Sequence, residues 1–113
     1  MENLNFRYKR EKIKLKVHDC NWLMRFKGLM FCRGESAEVL LFRFRKESGI
    51  LIHSFFVFFP FVAVWLDSDN EVVDVKVVKP FTLGVKPTRA FSKLVEIPIN
   101  KRYKKEVVLL VGN

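Results

Sequence analysis

The run from Gly49 to Leu66 most constrains the fold. Across 18 residues it holds no formally charged side chain, only one His, one Ser and one Pro among apolar and aromatic residues. Eighteen is the lower threshold for a membrane helix, but three features argue against one. Pro60 lies well inside the run and would break a helical ladder. The run is dense in Phe and Val, which prefer strands. Past Leu66 comes Asp67-Ser68-Asp69-Asn70, a turn signal. Two strands, Leu51–Phe59 and Val62–Leu66, broken at Pro60, explain the run better. The second pairs in a hairpin with Glu71–Val78.

The rest of the chain reads as short strands. Ile13, Leu15 and Val17 alternate with Lys12, Lys14 and Lys16, giving a half-buried strand with lysines outside. Asp19 is placed to cap a helix over Cys20–Met30, where Trp22, Phe26 and Leu29 share one face. Leu40, Phe42 and Phe44 alternate with Leu41, Arg43 and Arg45, and "KESG" then turns the chain. "KPFTLGVKPT" reads as a long loop and Ala90–Ile99 as a strand. Pro98 makes that strand an edge or ends it. "NKRYKKE" is a turn or one helical turn, and Val107–Val111 is a last strand. The expectation is a mainly β (β-rich α+β) domain over residues 1–113. It is a small barrel or strongly curled antiparallel or mixed sheet of about seven strands with one short helix. Residues 1–10 form a flexible basic arm.

A chain of 113 residues can bury about two-thirds of its unfolded surface, enough for a core without staples. The 12 Phe exclude a disordered chain. The two cysteines, Cys20 and Cys32, are too few for a disulfide scaffold and lack zinc-site spacing. They are free thiols or a single bridge, with free thiols favoured. Absent Gln and plentiful Lys, Glu, Arg and Val lean towards a thermophilic source. The first residues lack an apolar leader, so a cytoplasmic location is expected.

The net charge is +9. One basic face is Lys12, Lys14 and Lys16; a second cluster is Lys101, Arg102, Lys104 and Lys105. Such clusters are either a footprint for a polyanion or a solvated surface. No nucleophile elbow, phosphate loop or dinucleotide fingerprint is present. Asp67, Asp69 and Glu71 lack the Gly and distal Glu of a calcium loop, so a hairpin turn accounts for them. His53 stands out as a polar group in an apolar strand, and is either a backbone-bonded structural histidine or a donor in a site.

Three segments follow one another in a familiar order: "RFKGLMFCR" (25–33), "LLFRF" (40–44) and "IHSFFVFFPFVAVWLDSDNEVVDVKVVKPF" (52–81). This resembles the family called domain of unknown function 192, over roughly Ile13 to Ile99. The matching positions are Arg25, Gly28, Leu29, Met30, Arg33, His53, Pro60, Asp67, Lys79 and Pro80. Ser54 stands for the usual Thr, Val57 for Met, Val62 for Asp and Phe81 for Trp. The resemblance implies a small barrel-like fold and brings no established activity, cofactor or catalytic residue. Losing the Asp at 62 removes a carboxylate partner for His53 and weakens an enzymatic reading.

Two functions are therefore weighed, neither needing a cofactor or metal. The first is a non-enzymatic binding module with an apolar pocket or groove for a small molecule or protein segment. Arg25, Arg33 and His53 would edge it and Met30 and Phe55 would wall it, with Arg33 and His53 within about 10 Å of each other. The second is a nucleic-acid-binding barrel, non-specific in sequence, using the two basic clusters. A hydrolytic use of His53 ranks third. Whether the two basic clusters share one face separates the first two.

Overall fold

The computed structural model describes residues 2–20, 39–48, 60–79 and 89–112, with the backbone alone for 2, 18–20 and 44–48. Six strands run in the order β1 (Glu2–Tyr8), β2 (Glu11–Cys20), β3 (Leu40–Ser48), β4 (Phe61–Leu66), β5 (Val72–Val78) and β6 (Phe91–Pro98). A 3-10 turn, Lys101–Tyr103, leads into helix α1, Lys104–Val111.

The strands form one sheet in the order β1-β2-β3-β6-β4-β5. All pairings are antiparallel except β2 with β3, where His18, Asp19 and Cys20 face Leu40, Leu41 and Phe42 in parallel. A parallel pair needs a long crossover, and residues 21–39 supply it. The sheet curls until its two edges touch at a single bridge, Arg7 with Glu71. It therefore takes the curled, mixed form of the two expected architectures and stops short of a closed barrel.

Alternation explains each strand. On β1 and β2, Leu4, Phe6, Ile13, Leu15 and Val17 are buried on the inner face, while Asn3, Asn5, Arg7, Lys12, Lys14 and Lys16 are exposed on the outer. The central strands are covered on both faces. On β4 all six residues are buried. Val62, Val64 and Leu66 join the inner cluster, and Phe61, Ala63 and Trp65 join a second cluster on the other face. Leu41, Val95 and Ile97 extend the first, Phe42, Phe91 and Leu94 the second. Each buried Val, Leu, Ile and Phe among them contributes roughly 1.5–3 kcal/mol by leaving water.

Four expectations are corrected. Residues 2–8 are an edge strand rather than an arm, because Leu4 and Phe6 alternate with Asn3, Asn5 and Arg7 and reach the core. Asp19 and Cys20 end β2 instead of capping and starting a helix; the remainder of that helix lies outside the described residues, as does Leu51–Phe59. Lys46, Glu47 and Ser48 prolong β3 rather than turning the chain. Val107–Val111 is helical: Tyr103, Val107 and Leu110 recur at helical spacing and pack on the inner cluster. Asn100 caps the preceding turn, its Oδ1 accepting from the Tyr103 N–H at 3.3 Å. Gly112, at φ 81°, ends the helix and donates to the Val108 carbonyl at 2.8 Å. Pro98 does end β6, which is an inner strand of the sheet and not an edge. No described helix is long and apolar enough to cross a membrane.

Candidate functional site

The β1–β2 ribbon presents the most ordered charged surface. Its register sets Asn3 opposite Lys16, Asn5 opposite Lys14 and Arg7 opposite Lys12. All six are exposed, and none is acidic. Residues two apart on a strand sit about 6.8 Å apart, so Lys12, Lys14 and Lys16 make an evenly spaced row. Tyr8 pairs with Glu11, leaving Lys9 and Arg10 as a two-residue loop. Both have positive φ, 48° and 70°, the signature of a type I′ turn, which favours Asn-Gly. The Lys9 ammonium lies 5.3 Å from the centre of the Tyr8 ring, a cation–π distance. The ribbon tip is thus doubly cationic and held in a conformation that non-glycine residues resist.

Lys101, Arg102, Lys104 and Lys105 are also exposed. They belong to the segment whose Tyr103, Val107 and Leu110 pack on the inner face of the sheet, whereas the lysine row points outward from β2. The two clusters therefore lie on opposite sides of the sheet and do not form the one continuous face that would have favoured nucleic acid over a pocket; a nucleic-acid reading rests on the ribbon alone. Sequence could not decide this, because Val107–Val111 fits either a strand or a helix in so short a stretch.

A pocket of about 580 Å³ opens where the sheet edges meet, walled by the end of β1 and the β4–β5 turn. Arg7, Lys9, Asp69 and Glu71 supply its charges, and Phe6, Tyr8 and Val72 its apolar surface. The Asp67 carboxylate is committed to the turn, its Oδ1 accepting from the Asp69 and Glu71 N–H groups at 2.9 and 3.0 Å. This is the hairpin turn expected of the Asp67–Glu71 segment. Asn70 has φ 62°, and its Oδ1 accepts from Lys93 Nζ. The pocket was not foreseen; its signal, turn residues facing a basic strand end, becomes visible only once the edges are known to meet.

A third feature is a carboxyl in an apolar setting. Glu96 on β6 lies between Leu40 of β3 and Ala63 of β4, in register with the second cluster. Burial pushes its pKa up to about 8. On the same cluster the Trp65 ring meets Phe91 edge-on at 6.3 Å. Its Nε1 is buried without a partner among the described residues, as is Ser92 Oγ. Glu96 was not singled out in the sequence: alternation with Val95 and Ile97 would set it on the wet face of a half-buried strand.

The residues expected to form a ligand pocket, Arg25, Met30, Arg33, His53 and Phe55, all lie outside the described residues.

No family model matches the chain. A UPF0127 protein of Thermococcus kodakarensis is 33% identical over 87 residues, 76% of this chain and 54% of that protein. A UPF0127 protein of Pyrococcus furiosus is 30% identical over 87 residues, 77% of this chain and 73% of that protein. One from Pyrococcus abyssi is 29% identical over 89 residues, covering 79% of this chain and 74% of that protein. The chain thus spans about half of the first relative's length and nearly three-quarters of the other two. Two solved structures share the fold. A protein of unknown function from Novosphingobium aromaticivorans has a TM-score of 0.73 at 12% identity, over 91% of this chain and 76% of that one. A candidate transcription regulator from Sinorhizobium meliloti has a TM-score of 0.73 at 15% identity, over 90% and 81%.

Proposed function

Because the chain belongs to the UPF0127 family, whose relatives' names state no activity, we propose a function from its own surface: a non-enzymatic binding module that docks on nucleic acid through the β1–β2 ribbon. The carrying observation is the ribbon's outer face, where Asn3/Lys16, Asn5/Lys14 and Arg7/Lys12 stand in register with no carboxylate among them. Lysines about 6.8 Å apart step at twice the 3.4 Å axial rise per phosphate of one DNA strand. No aromatic side chain is among those outward residues, so base stacking of the single-strand kind has no platform there. Backbone contact with duplex fits the surface better, and it carries no sequence information. The motif order resembling domain of unknown function 192 supports the same uncharacterised class and adds no activity. The other expectation, a groove edged by Arg25, Arg33 and His53, falls on residues outside those described and draws no support from this geometry.

Fluorescence anisotropy against a labelled mixed-sequence duplex, over a salt series, tests the reading. Binding at low salt should weaken steeply as salt rises. Lys12, Lys14 and Lys16 changed together to Gln should flatten the log–log slope by about 0.9 per lysine. Lys101, Lys104 and Lys105 changed to Gln should leave it nearly unchanged. Binding that ignores salt, or that survives the ribbon substitutions and is lost with the helix ones, would refute it.

A further inference from the structure

The pocket at the sheet seam carries charges of both signs that do not neutralise one another. Arg7 and Lys9 face it from β1 and the ribbon tip, Asp69 and Glu71 from the β4–β5 turn. Among the described residues, none of the four makes an ion pair. The carboxylate that the turn needs for its own N–H groups is that of Asp67, so the other two are not consumed by folding. The two walls are fixed by the backbone. Arg7 and Glu71 are tied by the backbone bridge that joins the sheet edges, and Asn70 is held by Lys93 Nζ.

Strain concentrates at the same place. Among the described residues the non-glycine positions with positive φ are Lys9, Arg10 and Asn70. Lys9 and Asn70 line the pocket, and Arg10 adjoins Lys9. Asn tolerates that conformation readily, whereas Lys and Arg do so at a cost. Strained backbone of this kind clusters at ligand sites. Phe6 and Tyr8 also line the pocket, from the same strand as Arg7, and about 580 Å³ is within the range of small-molecule sites.

We propose that the seam pocket binds a small zwitterion with an apolar body, of the free α-amino-acid type. Asp69 and Glu71 receive its ammonium group, Arg7 and Lys9 its carboxylate, and Phe6 and Tyr8 its side chain. Guanidinium and carboxylate match as a two-pronged pair. A ligand of single charge leaves one wall unmatched.

Amide chemical-shift titration of the full chain, with L-leucine as the probe, tests this. N-acetyl-leucine and leucine amide, each lacking one charge, are run beside it, with leucyl-leucine as a longer zwitterion. L-Leucine is expected to give saturable shifts at Lys9, Asn70 and Glu71. Each single-charge analogue should bind about tenfold or more weakly. Leucyl-leucine, whose charges are set further apart, should also be weaker. Asp69→Asn should weaken leucine while leaving N-acetyl-leucine unchanged, and Glu71→Gln, assayed in parallel, should repeat the pattern. Absence of saturable shifts overturns the proposal, as does equal binding of the blocked analogues. Because Asp69 and Glu71 contribute no cation to the ribbon, their substitution tests the pocket separately from the nucleic-acid reading.

Discussion

Glu96 is the residue at which burial and charge conflict most openly. Its carboxyl, pushed up to about 8, is protonated in the folded chain at pH values where the unfolded chain, near the ordinary 4.5, has released its proton. Between those values the folded state binds the extra proton, so stability falls as pH rises. The loss should approach roughly 3–5 kcal/mol by pH 8. Thermal melts should therefore show Tm dropping from about pH 5 to pH 8, and Glu96→Gln should flatten that slope. A Tm that rises over this range would show the carboxylate to be well solvated. Val62 makes the converse point. It stands where the resembling family has Asp, and it is fully buried in the inner cluster. The departure was visible in sequence; that it faces the core rather than a site was not.

Two elements carry most of the functional argument, and each has a separable energetic signature. The ribbon tip holds Lys9 and Arg10 at positive φ, so Lys9→Asn with Arg10→Gly should stabilise the protein by about 1–2 kcal/mol. Urea titration would read the gain. On the nucleic-acid reading the same change lowers the salt slope, so stability and binding should move in opposite directions. A variant that is more stable yet binds as tightly as the parent would sink the link between strain and function. Helix α1 is anchored by Leu110, 3% exposed in the inner cluster. Leu110→Ala should cost about 2–5 kcal/mol and Asn100→Ala about 1 kcal/mol, both measurable by urea denaturation. A Leu110 effect below that of the cap would mean the helix is only loosely docked.

At the scale of the whole molecule, topology dominates. β6 inserts between β3 and β4, and β2 pairs with β3 across residues 21–39. Contacts so distant in sequence require loops to close before pairing stabilises them. Refolding after stopped-flow dilution should accordingly take milliseconds to seconds. A microsecond phase accounting for the full amplitude would contradict this sheet order. The same topology brings the ends of β1 and β4–β5 together at Arg7 and Glu71, and the seam pocket exists only because of that closure.

The sequence by itself determined which segments become strands wherever alternation was strong. Val62–Leu66, Glu71–Val78 and Ala90–Ile99 match β4 to β6 closely, Lys12–Val17 and Leu40–Arg45 fall inside the longer β2 and β3, and the Asp67 turn was read correctly. Side chains alternate with a fixed period of two on a strand, so one buried face writes itself into the order of residues. Sequence also marked the lysine row as outward. Only tertiary structure decided the rest. Val107–Val111 became a helix because the inner cluster accepts Tyr103, Val107 and Leu110 at helical spacing; the five residues alone fit both states. Residues 2–8 became an edge strand because β2 offered an open partner. Glu96 became desolvated because β3 and β4 flank it. Strand order, face pairing and the meeting of two edges depend on contacts between segments far apart in the chain, and no local period records them.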